Sequence, residues 1–326
     1  MKVLITLPRD AIRVDLADLE RLATVEFLEA ADEAALLTAI GDADVLIPGW
    51  TVPITARVIA AASRLKLIQT FSVGYDNIDA TAATNRGIMV CNTGGSNAES
   101  VAELAWGLIL GLARRIPGGD RLMRAGQWGR FMAERHTLLW GKTLGVIGFG
   151  AIGRRVGQIG RLAFHMPLLV HDPFIIPEAA ELFGGRLVSL DAVLSGSDVV
   201  SVHVPLSDAT RHLLGEAALR RMKPTALLVN TARGAVIDEA ALIRCLQDGV
   251  LAGAGLDVFE VEPLPAASPL RRLENVILVA HIGTCPEAGV RMHAVGVDNV
   301  ARFLHGQRPM RIVNPTYLLA RTSDAG

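Results

Sequence analysis

The sequence predicts an α/β protein in which parallel sheets are flanked by helices, and two observations support this prediction. First, short apolar runs typical of buried strands alternate with helical segments. Second, the run Thr143–Ile147 leads into the glycine-rich turn Gly148–Gly153, and another apolar run, Pro167–His171, follows the next helix. That order is a βαβ unit. Because 326 residues exceed one typical hydrophobic core, we expect two domains, each built on a doubly wound sheet.

Composition excludes several classes of protein. At 51% hydrophobic and 20% charged residues the chain can bury a substantial core, so disorder is not expected. The net charge is −1 and basic residues are scattered, which argues against nucleic acid or an anionic membrane as a partner. Cys91, Cys245 and Cys285 are widely spaced and form no CxxC pair. We therefore expect a reduced, cytoplasmic protein with no disulfide framework and no metal site.

Two apolar segments resemble a signal peptide or a membrane-spanning helix, but other features of each argue against that interpretation. The N-terminal run of apolar residues is short and lacks a small-residue cleavage site, so it predicts a strand rather than a signal peptide. Val101–Ile116 is almost wholly apolar, but it is shorter than the ~20 residues that span a bilayer, and it contains Glu103. It predicts a helix buried all round, in a core or a subunit interface, and hence a soluble chain.

The first part of the chain alternates regularly between strands and helices. Strands are predicted at Lys2–Leu7, Thr24–Leu28, Asp44–Pro48, Lys66–Thr70 and Ile88–Cys91, and helices at Val14–Leu22, Asp32–Ile40, Thr55–Ala62 and Asn77–Arg86, with Asp32 as a helix cap. Ligands of such sheets bind beyond the carboxyl ends of the strands, so the loops Gly49–Val52 and Phe71–Asp76 are of interest.

Each of these loops allows two interpretations. Trp50 either lines a substrate pocket or covers the core, and we slightly favour the pocket. In the second loop, Gly74 permits close backbone approach, and exposed N–H groups there could hold a small carboxylate. Taken alone, this loop is more simply interpreted as a plain turn before a helix.

The remaining elements follow the same alternation. Asn92–Ser96 predicts the first crossing between domains, and Arg121–Trp140 suits an interface arm. After the βαβ unit, strands are predicted at Asp198–Val204, Ala226–Thr231, Ala252–Leu256 and Val276–Val279, with a helix through Met222, a helix at Asp238–Gln247 and a last helix from Pro286 to Gly306-Gln307.

The glycine-rich turn predicts a dinucleotide site. Gly148 permits the tight turn out of the strand, Gly150 lets the backbone approach a pyrophosphate, and Gly153 lets helix and strand pack closely. The helix that follows directs N–H groups and its positive dipole end towards phosphates. Asp172, 19 positions beyond Gly153, is placed to accept hydrogen bonds from ribose hydroxyls and to repel the 2′-phosphate of NADP. The expected cofactor is NAD.

Three further strand ends carry polar groups suited to hydride transfer between a 2-hydroxy acid and NAD. Arg233 follows one strand, Glu260 and Glu262 follow the next, and His281 follows the last. Arginine binds carboxylates through a planar fork, and histidine exchanges protons near neutral pH. From the residues alone either glutamate could partner the histidine, and His203, at another strand end, is the one rival to His281.

The chain resembles the D-isomer-specific 2-hydroxyacid dehydrogenases, a family that includes phosphoglycerate dehydrogenases, glyoxylate/hydroxypyruvate reductases and D-lactate dehydrogenases. The resemblance covers nearly the whole chain. The motifs that carry it are SVGYDNID at 72–79, NAESVAEL at 97–104, GKTLGVIGFGAIG at 141–153, HVPLSDAT at 203–210, NTARGAVIDEAAL at 230–242, GLDVFEVEPL at 255–264 and HIG at 281–283.

The resemblance implies a role for each site residue. The catalytic trio would be Arg233, Glu262 and His281, which selects Glu262 over Glu260 and assigns His203 to the cofactor cleft. The implied substrate contacts are Trp50, Ser72, Val73, Gly74 and Arg233. The implied cofactor contacts are Val101, Gly148, Phe149, Gly150, Ala151, Ile152, Gly153, Asp172, His203, Val204, Pro205, Thr210, Thr231, Ala232, Asp257 and Gly283.

The resemblance also implies how the domains are arranged. Residues 1–98 and 285–326 would form a discontinuous, flavodoxin-like substrate domain, and 99–284 an inserted Rossmann domain that binds NAD. A homodimer would form through Val101–Trp140. Ala280, where proline is usual, and Cys285-Pro286 depart from the family pattern beside the site.

The expected activity is NADH-dependent reduction of glyoxylate, hydroxypyruvate or 3-phosphohydroxypyruvate. The absence of a basic residue in Gly49–Val52 favours an unphosphorylated substrate. The alternative is an NAD(H)-sensing binding protein of the same fold, like the C-terminal-binding-protein corepressors.

Overall fold

A computed structural model describes residues 1–29, 32–128 and 136–318, which fall into two compact units. One unit joins Met1–Asn97 to Cys285–Gly326, and the other is Ala98–Thr284. The domain boundaries expected from the resemblance, 98/99 and 284/285, lie within one residue of the unit boundaries, 97/98 and 284/285.

The first unit is built on a five-stranded parallel sheet with the order β2-β1-β3-β4-β5. Its strands are β1 (Lys2–Ile5), β2 (Thr24–Phe27), β3 (Val45–Ile47), β4 (Leu67–Gln69) and β5 (Met89–Cys91), and its helices are α1 (Ala17–Leu22), α2 (Glu33–Ala39), α3 (Ala56–Ala61), α4 (Ala80–Asn85) and α12 (Pro286–Leu304). Leu4 packs in one hydrophobic cluster, and Val3 and Ile5 pack in the other. Both faces of β1 are therefore covered, as the continuous apolar run predicts.

Side-chain caps set where several of these helices begin. The side chains of Asp32, Thr55 and Asp79 accept the N–H groups of Ala35, Val58 and Ala82, respectively. The predicted Asp32 cap is confirmed. The prediction that α4 starts at Asn77 is wrong, because Ile78 forms a bridge with Ile54 and leaves Asp79 as the cap.

The second unit is built on a seven-stranded parallel sheet with the order β12-β11-β10-β9-β6-β7-β8. Its strands are β6 (Leu144–Ile147), β7 (Leu168–His171), β8 (Gly185–Leu187), β9 (Val199–Val202), β10 (Leu227–Asn230), β11 (Gly253–Leu256) and β12 (Val276–Leu278). Its helices are α5 (Ala98–Ala113), α6 (Ile116–Arg124), α7 (Ala151–Phe164), α8 (Pro177–Glu181), α9 (Leu190–Gly196), α10 (Glu216–Leu219) and α11 (Glu239–Gln247). The strand order reverses between β6 and β9, and such a switch point is where doubly wound sheets bind ligands.

The long apolar helix, α5, is shorter than predicted. It ends at Ala113 instead of Ile116, since Arg115 has a left-handed backbone (φ 51°) and a second helix, α6, starts after it. Within the single chain Glu99, Glu103 and Gly107 are exposed at four-residue spacing, so burial of α5 all round in a core or a subunit interface stays a prediction. The expected interface arm, Arg121–Trp140, begins within α6, and residues 129–135 of it lie outside the described residues.

Other differences concern short elements. β8, α8 and α9 are not predicted from the sequence, and the helix expected to run through Met222 is the single turn α10. β8 is a three-residue edge strand with an exposed Arg186, so it lacks an apolar run that would identify it.

Candidate active site

The glycine-rich turn has the geometry of a pyrophosphate cradle. Gly148 has φ +87°, and a Cβ there would lie 2.7 Å from the carbonyl carbon of His203. A Cβ on Gly153 would lie 2.1 Å from the oxygen of Gly148. A Cβ on Gly150, in contrast, would meet no protein atom within 4 Å. The first and third glycines therefore allow close packing within the protein, whereas the second borders space that a ligand can fill.

Helix α7 begins directly after this space. Its N-cap is Gly150, which supplies no side-chain cap to the first N–H groups of the helix. A 14-residue helix with uncapped N–H groups at this end provides donors and a positive dipole for an anion.

Asp172 is fixed at the end of β7. Its carboxylate accepts the N–H of Phe149 at 2.8 Å and the N–H of Phe174 at 2.9 Å. A carboxylate has about four lone-pair sites, so the two bonds leave acceptor capacity for hydroxyl groups. The aspartate thereby ties the glycine-rich turn to the strand whose end it occupies.

Two buried polar atoms at neighbouring strand ends have no hydrogen-bond partner among the described residues. They are Nδ1 of His203, after β9, and Oγ1 of Thr231, after β10. Buried polar atoms are normally paired, so such atoms beside a switch point fit a ligand that supplies the missing partner. Together with the open space at Gly150, they show that the residues present fit a bound dinucleotide.

His281 and Glu262 form a close pair beyond the ends of β11 and β12. Nδ1 of His281 lies 2.7 Å from Oε2 of Glu262, and the two side chains are 42% and 31% exposed. Since a carboxylate only accepts, Nδ1 carries the proton of this hydrogen bond. The other oxygen of Glu262 accepts the N–H of Phe259 at 3.0 Å, so the carboxylate is held in one orientation.

His281 also has an unusual backbone. Its φ is +54°, in the left-handed region, and its N–H donates to the oxygen of Asp257 at 2.8 Å. Non-glycine residues rarely adopt this conformation, and where they do the cost is about 1–3 kcal/mol and often marks a functional site. The conformation turns the chain at the end of β12.

Asp257 connects β11 to the turn that carries His281. It is buried, and its carboxylate accepts the N–H groups of Ile282 at 2.7 Å and Gly283 at 3.0 Å. Burial raises the pKa of Asp257, and these two donors oppose that rise. The aspartate therefore fixes the turn through its side chain.

Arg233 lies in a loop that Asn230 holds in place, a residue that the sequence alone does not identify as part of the site. Asn230, 1% exposed at the end of β10, donates to the oxygen of Arg233 at 2.9 Å and accepts the N–H of Ala232 at 3.0 Å. An amide directly after an apolar strand and three residues before the arginine is the signal that could have identified it. Gly234, the residue after Arg233, packs against the backbone of Phe259, because a Cβ on Gly234 would lie 1.9 Å from the carbonyl carbon of Phe259.

The structure distinguishes the alternatives that the residues left open. His281 contacts Glu262, whereas Glu260 lies 2.8 Å from Nε2 of His212. Nε2 of His203 lies 2.8 Å from Oγ of Ser201. Burial lowers the pKa of His203 to about 3, so this ring is neutral at pH 7 and is poorly suited to donate a proton.

In the first unit, the loop after β4 turns its carbonyl groups inwards. The oxygen of Ser72 accepts from Thr70 and Thr93, that of Val73 from Asn92, and that of Gly74 from the hydroxyl of Ser72. The N–H groups of Ser72, Val73 and Gly74 have no acceptor within the described part of the chain. Consecutive N–H groups of this kind can bind a small anion.

The loop after β3 carries Trp50, which is 66% exposed. This exposure excludes the interpretation that Trp50 covers the core. The amide of Asn77 donates to the oxygens of Gly49 at 3.1 Å and Val52 at 2.8 Å, so it fixes both ends of the loop. Asn77 is a second positioning residue to which the sequence analysis assigned no role.

A metal-binding cluster and a membrane-spanning helix are both absent from the described residues. No group of three or more His, Cys, Asp and Glu side chains in residues 1–29, 32–128 and 136–318 is placed to hold a metal ion. No helix of that same part of the chain is long and apolar enough to cross a membrane.

Comparison with known proteins gives consistent matches. The family model of the D-isomer specific 2-hydroxyacid dehydrogenase NAD-binding domain matches residues 106–283. A glyoxylate reductase from Korarchaeum cryptofilum is 41% identical over 88% of this chain and 87% of its own length. A D-3-phosphoglycerate dehydrogenase from Methanocaldococcus jannaschii is 40% identical over 96% of this chain and 59% of its own length.

Solved structures agree with these sequence matches. D-lactate dehydrogenase from Aquifex aeolicus, in complex with NAD and lactic acid, superposes with a TM-score of 0.86 at 30% identity. The superposition covers 96% of this chain and 99% of that one. The predicted α/β fold with two parallel sheets is thereby confirmed.

Proposed function

The chain belongs to the D-isomer specific 2-hydroxyacid dehydrogenases, and from this membership we propose that it reduces a small, unphosphorylated 2-keto acid with NADH. Membership makes it an NAD-dependent oxidoreductase that acts on the CH–OH group of 2-hydroxy acids. The proposal concerns the substrate, which we take to be glyoxylate or hydroxypyruvate, and the residues that act on it.

The observation that carries the proposal is the pair of His281 and Glu262. Glu262 holds Nδ1–H of His281 at 2.7 Å, which directs Nε2 to give a proton to the substrate oxygen during reduction and to take it back during oxidation. Arg233 binds the substrate carboxylate and carbonyl oxygen through its planar guanidinium.

In the first unit, the N–H groups of Ser72, Val73 and Gly74 would bind a carboxylate group, and Trp50 would line a substrate pocket. An unphosphorylated substrate is supported by the loop Gly49–Val52, which has no basic residue to pair with a phosphate. The name of the glyoxylate reductase relative supports the same choice.

NADH would be held by residues of the second unit. Gly148–Gly153 and the first turn of α7 would hold its pyrophosphate, and Asp172 would accept hydrogen bonds from the adenosine ribose. The other contacts would be Val101, Val204, Pro205, Thr210 and Gly283. His203, Thr231, Ala232 and Asp257 would orient the nicotinamide. The bound cofactor supplies the hydride that reduces the carbonyl carbon.

We also propose that the protein is a cytoplasmic homodimer. The cytoplasmic location is supported by the buried thiols of Cys91 and Cys245, which form no disulfide within the described residues. Burial raises the pKa of the Cys91 thiol to about 12, so it is protonated and unreactive at pH 7. The dimer is supported by the exposed apolar side chains Ile116, Met123, Trp128, Leu138 and Trp140 in and after α6.

The test follows NADH absorbance with glyoxylate, hydroxypyruvate, pyruvate, phenylpyruvate and 3-phosphohydroxypyruvate offered separately. We expect the highest kcat/KM with glyoxylate or hydroxypyruvate. His281→Ala should lose at least about 100-fold in kcat, the range of general acid catalysis, and keep its affinity for NADH. If NADH binds but is oxidised with none of the five substrates, the proposal is contradicted and a sensing role is favoured. Full activity of His281→Ala would contradict the assigned proton donor.

A further inference from the structure

Three side chains outside the proposed catalytic trio form a cluster beside it. Nε2 of His212 lies 2.8 Å from Oε1 of Glu260. The same oxygen accepts the N–H of Glu239 at 3.1 Å, and the N–H of Glu260 donates to Oε2 of Glu239 at 3.1 Å. His212, Glu239 and Glu260 therefore join two loops of the second unit to the start of helix α11, and we call them the His212 cluster.

One of these loops runs along the segment that follows Arg233. The N–H of His212 donates to the oxygen of Ala235 at 2.8 Å, and the N–H of Leu214 donates to that of Val236 at 3.1 Å. His212 adopts this position with a left-handed backbone (φ 52°). The segment carrying Arg233 is thus hydrogen-bonded to the segment carrying His212.

The other two connections of the cluster reach the segment that carries Glu262. Glu260 lies two residues before Glu262. Phe259, the residue before Glu260, donates its N–H to the Glu262 carboxylate. A Cβ on Gly234 would lie 1.9 Å from the carbonyl carbon of Phe259, so the Arg233 and Glu262 segments pack backbone against backbone. The reciprocal bonds of Glu239 and Glu260 join the chain just after the Arg233 segment to the Glu262 segment at a second place.

We propose that the His212 cluster positions Arg233 relative to Glu262, and that it thereby sets how the substrate carboxylate lies with respect to the proton donor. This inference rests on the proposed function for the roles of Arg233 and Glu262. None of the three residues makes a side-chain hydrogen bond to a member of the catalytic trio among the described residues. They are positioning residues.

Two acids and a histidine meet in the cluster. Glu239 and Glu260 are held together by their reciprocal backbone bonds, and burial together with the neighbouring Glu260 carboxylate raises the pKa of Glu239. The His212 and Glu260 side chains are 46% and 31% exposed, so the contact contributes geometry more than stability.

The test compares Glu260→Ala and His212→Ala with Glu260→Gln and a control. Gln keeps an oxygen that can accept from Glu239 and His212, so it should retain most of the wild-type behaviour. The control is Glu216→Ala, because Glu216 also has two ionic contacts, at 2.8 Å to Arg220 and to Arg244. The readouts are amide hydrogen exchange by mass spectrometry, KM and kcat for the keto acid, and the Kd of NADH.

We expect exchange in 233–237 and 259–262 to quicken at least tenfold in both alanine variants. The KM for the keto acid should rise at least fivefold, the Kd of NADH should stay within twofold, and Glu216→Ala should change neither. Unchanged exchange in folded variants, or faster exchange with wild-type KM and kcat, would overturn the inference. If the wild type reduces no keto acid, the proposed function fails, and the exchange data alone then decide whether the cluster joins the two segments.

Discussion

Gly150→Ala should separate cofactor binding from folding. The added Cβ would meet no protein atom within 4 Å, and the backbone of Gly150 (φ −73°, ψ −161°) is one that alanine adopts. If the pyrophosphate of NADH passes this point, as we propose, the methyl group occupies the space of the ligand and of nothing else.

The size of both effects follows from the structure. Alanine is a poorer N-cap than glycine by roughly 0.5–1 kcal/mol, and the reduced entropy of the unfolded chain offsets this by about 0.4–1 kcal/mol. The net change in stability is therefore below about 1 kcal/mol, or roughly 3 °C in Tm. For NADH we expect the Kd to rise at least tenfold, which corresponds to about 1.4 kcal/mol.

The assay measures the Kd of NADH by fluorescence and Tm by calorimetry. Gly153→Ala is the matched control for steric strain, because its Cβ would lie 2.1 Å from the oxygen of Gly148 and must lower Tm. Gly118→Ala, on α6 and also without protein atoms within 4 Å, controls for the methyl group itself. A folded Gly150→Ala variant with wild-type affinity for NADH would refute the placement of the pyrophosphate.

Three further predictions concern single side chains. Glu262→Gln should lower kcat about tenfold with unchanged NADH affinity, since a half-exposed charged hydrogen bond contributes about 1.5 kcal/mol; wild-type kcat would contradict this. Asp172→Asn keeps an acceptor but removes the charge, so the ratio of kcat/KM with NADPH to that with NADH should rise at least tenfold, and an unchanged ratio would show that Asp172 does not select the cofactor. The pKa of His203 is about 3 in the folded state. Between about pH 3 and the ordinary histidine pKa of about 6.5, the unfolded state therefore binds more protons than the folded state, and stability falls as the pH is lowered. Between pH 7.5 and 5.5 the wild type should lose about 1.4 kcal/mol more than His203→Asn in urea unfolding, and equal losses would contradict the burial of this ring.

The sequence predicts the strands of this protein better than its short helices. A buried parallel strand is a continuous apolar run, and such runs identify β6, β9 and β10 to within two residues at either end. The edge strand β8 has no such run, and it forms because β7 provides a ladder on which to pair. The one-turn helix α10 is similarly determined by its neighbours rather than by its own residues.

The candidate site shows the same division. Spacing within a glycine-rich turn is a local property, so the roles of Gly148 and Gly153 follow from the sequence alone. Which acid contacts His281 is not local, since Glu260 and Glu262 are two residues apart and face different partners. The supporting amide of Asn77 donates to the backbone oxygens of Gly49 and Val52, more than 20 residues away in the sequence, so its role depends on the tertiary fold.

The proposed proton donor, its carboxylate partner and Arg233 come from three adjacent strands of one unit, and that unit is a single uninterrupted stretch, Ala98–Thr284. The loop of Ser72–Gly74 and the Trp50 loop belong to the other unit. If the proposed assignments are correct, substitutions in the two flanking segments can change which acid is bound and leave the residues proposed to exchange the proton unchanged.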